Sequence, residues 1–237
     1  MSRFTQEIKR KNVPMTIVIL SAGTGSRIKS YEPRALLKLG TRNILENQIH
    51  HLKNNFDSPE ITVTVGNAAN KIIKRVPSSV RVIENQLYET TNSFESLRLA
   101  VNNITADNVL FLHGDLVFNQ RTFEGLSYDK SFVLIDQKQQ FNEKEVGLTQ
   151  TNKRATIFSY GLATKWCQIA YLTGREFLIL KQICHKNNAE HKKMLTFEVL
   201  NKIINKGGQF LCHEPPNMKI REIDCMRDFN NEDFNIQ

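Results

Sequence analysis

The chain is short of cysteine, has a single tryptophan and contains no long apolar run. The four cysteines, at 167, 184, 212 and 225, form no Cys-x-x-Cys pair and have no histidine at zinc-ligand spacing. Neither a structural zinc nor a disulfide framework is expected, and the thiols read as reduced. No apolar stretch approaches the ~20 residues of a membrane span, so no membrane partner is expected. The polar, basic extension at residues 1–14 precedes the apolar run Ile17–Leu20, which is too short for the core of a secretory leader. That pattern predicts a cytoplasmic protein. A net charge of +8 suits a polyanionic ligand, but the basic residues are dispersed apart from Lys9-Arg10-Lys11 and Lys192-Lys193. No basic stripe is interleaved with aromatics, so nucleic acid is not an expected partner. Repeats, low-complexity tracts and a clear linker are also missing. So are two common phosphate loops: no Gly-Lys-Ser/Thr follows a glycine at Walker spacing, and the dinucleotide fingerprint lacks its third glycine.

What the chain does contain is 237 residues, 40% hydrophobic and 24% charged, enough for one large domain with a substantial core. Strands and helices alternate through the first half. Strands are predicted at Thr16–Leu20, Ile61–Val65, Val80–Ile83 and Val109–Leu112, and helices at Asn43–Lys53 and Asn92–Val101. Alternation at this spacing implies right-handed crossovers and an α/β fold with a mostly parallel sheet. Asn92-Ser-Phe-Glu95 has the spacing of a helix capping box. After Ser131 the pattern changes to strands at Phe132–Ile135, Gly147–Gln150, Ala155–Tyr160, Gln209–His213 and Lys219–Asp224, with helices at Gly174–Ile183 and Leu195–Ile204. A mixed-sheet second half, 131–237, is expected to form a small acceptor-binding lobe over the first, 15–130.

The first strand runs into Ser21-Ala22-Gly23-Thr24-Gly25-Ser26-Arg27, followed by Pro33-Arg34-Ala35-Leu36-Leu37. Glycines expose backbone N–H groups and arginines supply forked cations, which together cradle a polyphosphate. Ligands of open α/β sheets bind at the carboxyl ends of the strands. Asp115 follows the fourth strand and Asp224 the last, so both carboxylates are expected at the same edge as the loop. Two carboxylates beside bound phosphates are how a protein holds Mg²⁺.

These stretches resemble the nucleotidyltransferases that activate sugar phosphates and small alcohol phosphates, whose opening motif Leu-Ala-Ala-Gly-x-Gly-x-Arg is followed by Pro-Lys-x-Leu. Here they read Leu20 to Arg27 and Pro33 to Leu36. Within that superfamily the segment Val82–Leu97 and the closing Glu222-Ile223-Asp224 are similar to bacterial phosphocholine cytidylyltransferases. The likeness covers 15–120 and 195–230 and is weak over 130–190. It implies a GT-A-like, Rossmann-type fold. It also implies attack by an acceptor phosphate oxygen on the α-phosphorus of a nucleoside triphosphate, CTP being favoured, with release of pyrophosphate.

On this resemblance Arg27 holds the outer phosphates, and Arg34 stands where the family has its catalytic lysine. Asp115 and Asp224 hold Mg²⁺. Ser21, Ala22, Gly23, Thr24, Gly25, Ser26, Asn85, Tyr88, Ser93 and Ser96 meet the nucleotide. For a choline-like acceptor the candidates are Tyr160, Trp166, Phe197 and Glu198, since ammonium groups are held by aromatic faces and a carboxylate. His50, His51 and His113 read as structural or surface residues. Other acceptors and bases, a nucleotide-binding protein without turnover, and a homodimer all stay open. A GT-A glycosyltransferase is disfavoured, because Asp-x-Asp is replaced by His113-Gly114-Asp115.

Overall fold

The computed structural model describes residues 15–23, 33–138, 143–185 and 189–223. Through the first half the elements are β1 (Thr16–Ser21), the short hairpin β2 (Lys38–Leu39) and β3 (Arg42–Asn43), α1 (Ile44–Asn55), β4 (Glu60–Val65), α2 (Ala69–Ile73), β5 (Arg81–Glu84), α3 (Ser93–Val101), β6 (Asn108–His113) and β7 (Leu116–Phe118). The second half adds β8 (Phe132–Asp136), β9 (Val146–Thr151), β10 (Arg154–Tyr160), β11 (Thr164–Thr173), α4 (Gly174–His185), α5 (Ala189–Lys192), α6 (Thr196–Asn205), β12 (Leu211–His213) and β13 (Ile220–Glu222).

Among the described residues, nine strands form one sheet in the order β5-β4-β1-β6-β11-β8-β12-β10-β9. The four strands of the first half pair in parallel, and β11 then joins β6 antiparallel. β1 is a central strand with helices packed on both faces of the sheet, which is why its sequence is a continuous apolar run. Its alternate side chains feed two cores. Val18 and Leu20 pack with Phe94 and Leu97 of α3, whereas Ile17 and Ile19 pack with Leu45, Ile49 and Leu52 of α1. Helices α3, α4 and α6 thus cover one face, with α1 and α2 on the other, in three layers.

The second half continues this sheet instead of building its own, and β9 pairs with β11 as well as β10. β11 is the strand of this sheet that the sequence pattern does not announce. It carries Lys165 and Gln168 within an otherwise apolar segment, and its register against β8 shifts between Trp166 and Ala170. Gln168 sits in this bulge with φ +57°, a left-handed conformation uncommon for a side chain other than glycine.

The last expected strand exists, but outside the main sheet. β13 pairs antiparallel with β7 in a separate two-stranded ribbon. The expected capping box on α3 does not form. Asn92 Nδ2 donates to the Lys193 carbonyl at 2.6 Å, and Glu95 turns inward to a buried ion pair with Arg98 at 2.7 Å. A partner just after α5 takes the Asn92 side chain in place of the local cap. A capping box does form at α1, between Asn43 and Glu46.

Candidate active site

The carboxyl ends of β1 and β6 open on a cavity of about 470 Å³. Ser21, Ala22 and Gly23 from the end of β1 form one wall, with Arg34 beside them. Gly66, after β4, lets the chain close behind this wall. A Cβ there would lie 2.7 Å from both the Ala22 carbonyl oxygen and Tyr88 Cβ. The Asn67 N–H donates to that carbonyl at 3.1 Å. Of the loop residues expected to meet the nucleotide, Thr24, Gly25, Ser26 and Arg27 lie outside the described residues.

Asp115 lies in the turn between β6 and β7 and lines the cavity. Gly114 is required there, because a Cβ would overlap Ser21 Oγ and lie 3.0 Å from the Leu20 carbonyl oxygen. Arg34 Nη1 meets Asp115 Oδ2 at 2.7 Å, with side chains 20% and 18% exposed. Asp115 Oδ1 and Ser21 Oγ are buried with no hydrogen-bond partner. A carboxylate with one oxygen paired and the other orphaned has a vacant donor position suited to a hard cation, so Asp115 fits the Mg²⁺ role. Ile223 N–H donates to the Asp115 carbonyl at 3.0 Å, so the β7–β13 ribbon brings the chain beside Asp115. Asp224 follows in sequence and lies outside the described residues. Among the described residues no group of three or more His, Cys, Asp or Glu side chains clusters as a metal site.

The β5–α3 loop supplies Asn85 and Tyr88, and the start of α3 supplies Ser93 and Ser96, all lining the cavity. Asn85 is spent on the loop itself. Its Nδ2 donates to Thr91 Oγ1 and Ser96 Oγ, both at 3.1 Å, and its Oδ1 accepts from the Leu87 N–H. Tyr88 donates to Glu89 at 3.1 Å, a bond that raises the phenol pKa. Ser93 Oγ accepts from the Thr196 N–H at 3.1 Å, locking the start of α3 to the start of α6. The N-termini of both helices border the cavity, and their partial positive charge favours an anion there.

On the other side stand Tyr160 and Phe197, in edge contact with ring centroids 5.4 Å apart. Trp166 reaches the cavity only at its margin. It is 2% exposed, packs edge-on against Phe158 and Phe111, and donates its indole N–H to the Ile169 carbonyl at 3.2 Å. Glu198 does not line the cavity. It accepts from the Leu195 N–H at 2.6 Å and so closes the N-terminus of α6.

Several lining residues carry no local sequence signal. Lys144, Glu145, Gln168 and Thr196 line the cavity, as does Glu222 of the closing motif. Glu145 pairs with Lys165 at 2.9 Å, and the Gln168 amide donates to Glu222. His113 is part of the site too. Its Nε2 lies 3.0 Å from Thr196 Oγ1. Burial depresses its pKa; Asp115 opposes that shift and Arg34 reinforces it.

Residues 17–128 match the model of the MobA-like NTP transferase domain. The matched stretch, just under half of the chain, thus corresponds to a nucleotidyltransferase domain. No curated protein sequence matches it. Among solved structures it is similar to the CTP:phosphocholine cytidylyltransferase of Streptococcus pneumoniae, with TM-score 0.71 and 18% identity over 92% of this chain and 96% of that one. It is also similar to the inositol-1-phosphate CTP transferase of T. maritima, with TM-score 0.73 and 16% identity over 92% of each chain. HddC from Yersinia pseudotuberculosis, complexed with GMP-PN, gives TM-score 0.67 and 16% identity over 91% of this chain and 96% of that one. At these identities the likeness concerns the fold.

No helix among the described residues is long and apolar enough to cross a membrane. The described cysteines, Cys167, Cys184 and Cys212, are buried free thiols. Burial pushes Cys184 up to about 12 and Cys212 up to about 11.

Proposed function

We propose that the protein transfers a nucleotidyl group, CMP from CTP, to a small phosphorylated alcohol such as phosphocholine, with release of pyrophosphate. The observation that carries this reading is the Arg34–Asp115 pair, set between the Ser21–Gly23 wall and the Tyr160–Phe197 corner of one cavity. Arg34 is a permanent cation placed to neutralise charge that develops on the α-phosphate, and its fork tolerates two oxygens where lysine offers a point charge. Asp115 and Asp224 would hold Mg²⁺, which when bound would supply charge neutralisation for the phosphates. Arg27 draws the outer phosphates, and the backbone of Ala22 and Gly23 reads the base. The α3 and α6 N-termini orient the two anionic substrates. Catalysis is then mostly positioning and electrostatics, with no covalent intermediate on the protein.

The aromatic pair suits a cationic acceptor, because ring faces attract an ammonium group. A second reading is a hydroxyl-rich acceptor such as a sugar phosphate, favoured by Glu145, Gln168 and Glu222 along the same cavity. The two separate in a pyrophosphate-release assay. The protein is incubated with Mg²⁺, each of the common nucleoside triphosphates, and phosphocholine or a panel of sugar phosphates. CTP with phosphocholine is expected to give the highest kcat/KM. A preference for a sugar phosphate would replace the acceptor, and no release with any pair would refute turnover.

A further inference from the structure

Gln48 lies on α1 at the buried stripe marked by Leu45, Ile49 and Leu52, and is 1% exposed. An apolar side chain would fill that position as its neighbours do. The glutamine instead spends its amide on the turn that follows β6. Nε2 donates to the His113 carbonyl at 2.9 Å and to the Leu116 carbonyl at 2.8 Å. These two carbonyls bracket Gly114-Asp115, at the point where the chain leaves β6 and enters β7. Oε1 is left buried with no hydrogen-bond partner, so the side chain is oriented for its two donors at the expense of its acceptor.

The same turn is tied from two other directions. Gly114 N–H donates to the Leu20 carbonyl at 2.8 Å, fixing the turn to the phosphate-loop strand. Ile223 N–H donates to the Asp115 carbonyl at 3.0 Å, fixing it to the closing ribbon. Gln48 supplies the tie from the α1 layer, and it grips both ends of the turn at once. The backbone that carries Asp115 cannot move away from the sheet edge without breaking one of these bonds.

We propose that Gln48 is a positioning residue for Asp115, holding the 113–116 turn so that the carboxylate sits where it can bind the divalent cation and pair with Arg34. The proposal rests on the metal-dependent reading of the site. Outer-shell partners of metal ligands typically change metal affinity by about 10- to 100-fold when removed.

The test is Mn²⁺ binding, followed by electron paramagnetic resonance in the presence of CTP, on wild type, Gln48→Met, Gln48→Glu and Leu52→Ala. Methionine keeps the length and loses both donors, and the protonated carboxyl of Q48E keeps one. Leu52 is buried on the same helix and makes no bond to the turn, so L52A controls for destabilisation alone. Q48M is expected to weaken Mn²⁺ binding by about tenfold, with Q48E between it and wild type. L52A is expected to lower the melting temperature and leave Mn²⁺ affinity unchanged. Steady-state rates should show lower kcat in Q48M with little change in the KM for nucleotide. Equal Mn²⁺ affinity in Q48M and wild type, or an equal loss in L52A, would overturn the proposal. So would a wild-type protein that binds no Mn²⁺ with CTP. Wild type that binds Mn²⁺ but releases no pyrophosphate would overturn the reaction and leave the role of Gln48 standing. Should Q48M fail to fold, Q48E against L52A decides by the same readout.

Discussion

Replacing Asp115 by asparagine separates the chemical role of this side chain from its structural one. The substitution is nearly isosteric, so no cavity opens. It removes the charge that pairs with Arg34 Nη1 at 2.7 Å. Hydrogen bonds to charged groups contribute about 1.5–3 kcal/mol. Both side chains keep roughly a fifth of their surface exposed, and water screens part of that value. The orphaned Oδ1 offsets more of it, since a neutral amide is cheaper to bury than a carboxylate. A net loss of about 1–2 kcal/mol follows, or about 2–8 °C in melting temperature for a chain of this size. Turnover should respond far more strongly. Loss of a preorganised electrostatic group at the reacting centre costs on the order of 10³-fold, about 4 kcal/mol. The assay is pyrophosphate release over a range of Mg²⁺ concentrations, paired with thermal melting. D115N turnover within about threefold of wild type at limiting Mg²⁺, a change of under 1 kcal/mol, would refute the metal and phosphate roles assigned to this residue. A melting temperature more than about 15 °C lower would show that the pair is chiefly a structural tie.

Arg34→Ala should cut kcat by about 10²–10³-fold. Arg34→Lys should restore most of it, since charge matters more than fork geometry; R34K as inactive as R34A would reverse that ranking. Tyr160→Ala should raise the acceptor KM about tenfold, about 1.4 kcal/mol, without moving the nucleotide KM. Equal shifts in both constants would remove Tyr160 from the acceptor corner. Stability should fall as the solution is acidified. His51, His113 and His213 have depressed pKa values, with burial as the leading cause in each. His50 and Arg42 add to the shift of His51, and Lys153 to that of His213. Their neutral forms are favoured in the fold, so the stability they contribute is complete above the ordinary histidine pKa of ~6.5 and is lost as pH falls through their lower folded values. Melting curves should be flat from pH 8 to about 7 and drop by pH 5.5. A melting temperature unchanged across that range would contradict the burial argument.

Much of the architecture is legible in the sequence. β1 and β6 are continuous apolar runs, and α1 and α3 carry 3.6-period stripes, because each encodes its own burial locally. β11 is not legible because Gln168 faces the cavity and Lys165 pairs with Glu145, which breaks the uniform apolar pattern of a central strand. The capping spacing at Asn92 misled for a related reason. The bond that won comes from Lys193, 101 residues away, and no local pattern reports it. Among site residues, Ser21 to Gly23, Arg34 and Asp115 were legible as motif positions, and the structure brings them together. Glu198 was legible only as an acidic residue beside an aromatic, and its carboxylate is used in capping its own helix.

Adjacent residues alone specify the chemistry on offer: a glycine-rich strand end, cations at set offsets, and a carboxylate after a buried strand. Those features are one-dimensional, since a loop's conformational freedom and a strand's burial are written in adjacent residues. Tertiary structure decided how that chemistry is held. Arg34 reaches Asp115 across 81 residues, Gln48 grips Leu116 across 68, and Ser93 meets Thr196 across 103. These contacts exist because β6 lies beside β1 in the sheet while α1 and α6 pack on opposite faces of it. Spacing in the chain carries no record of which layers meet, and only the folded sheet order brings those groups within hydrogen-bond reach.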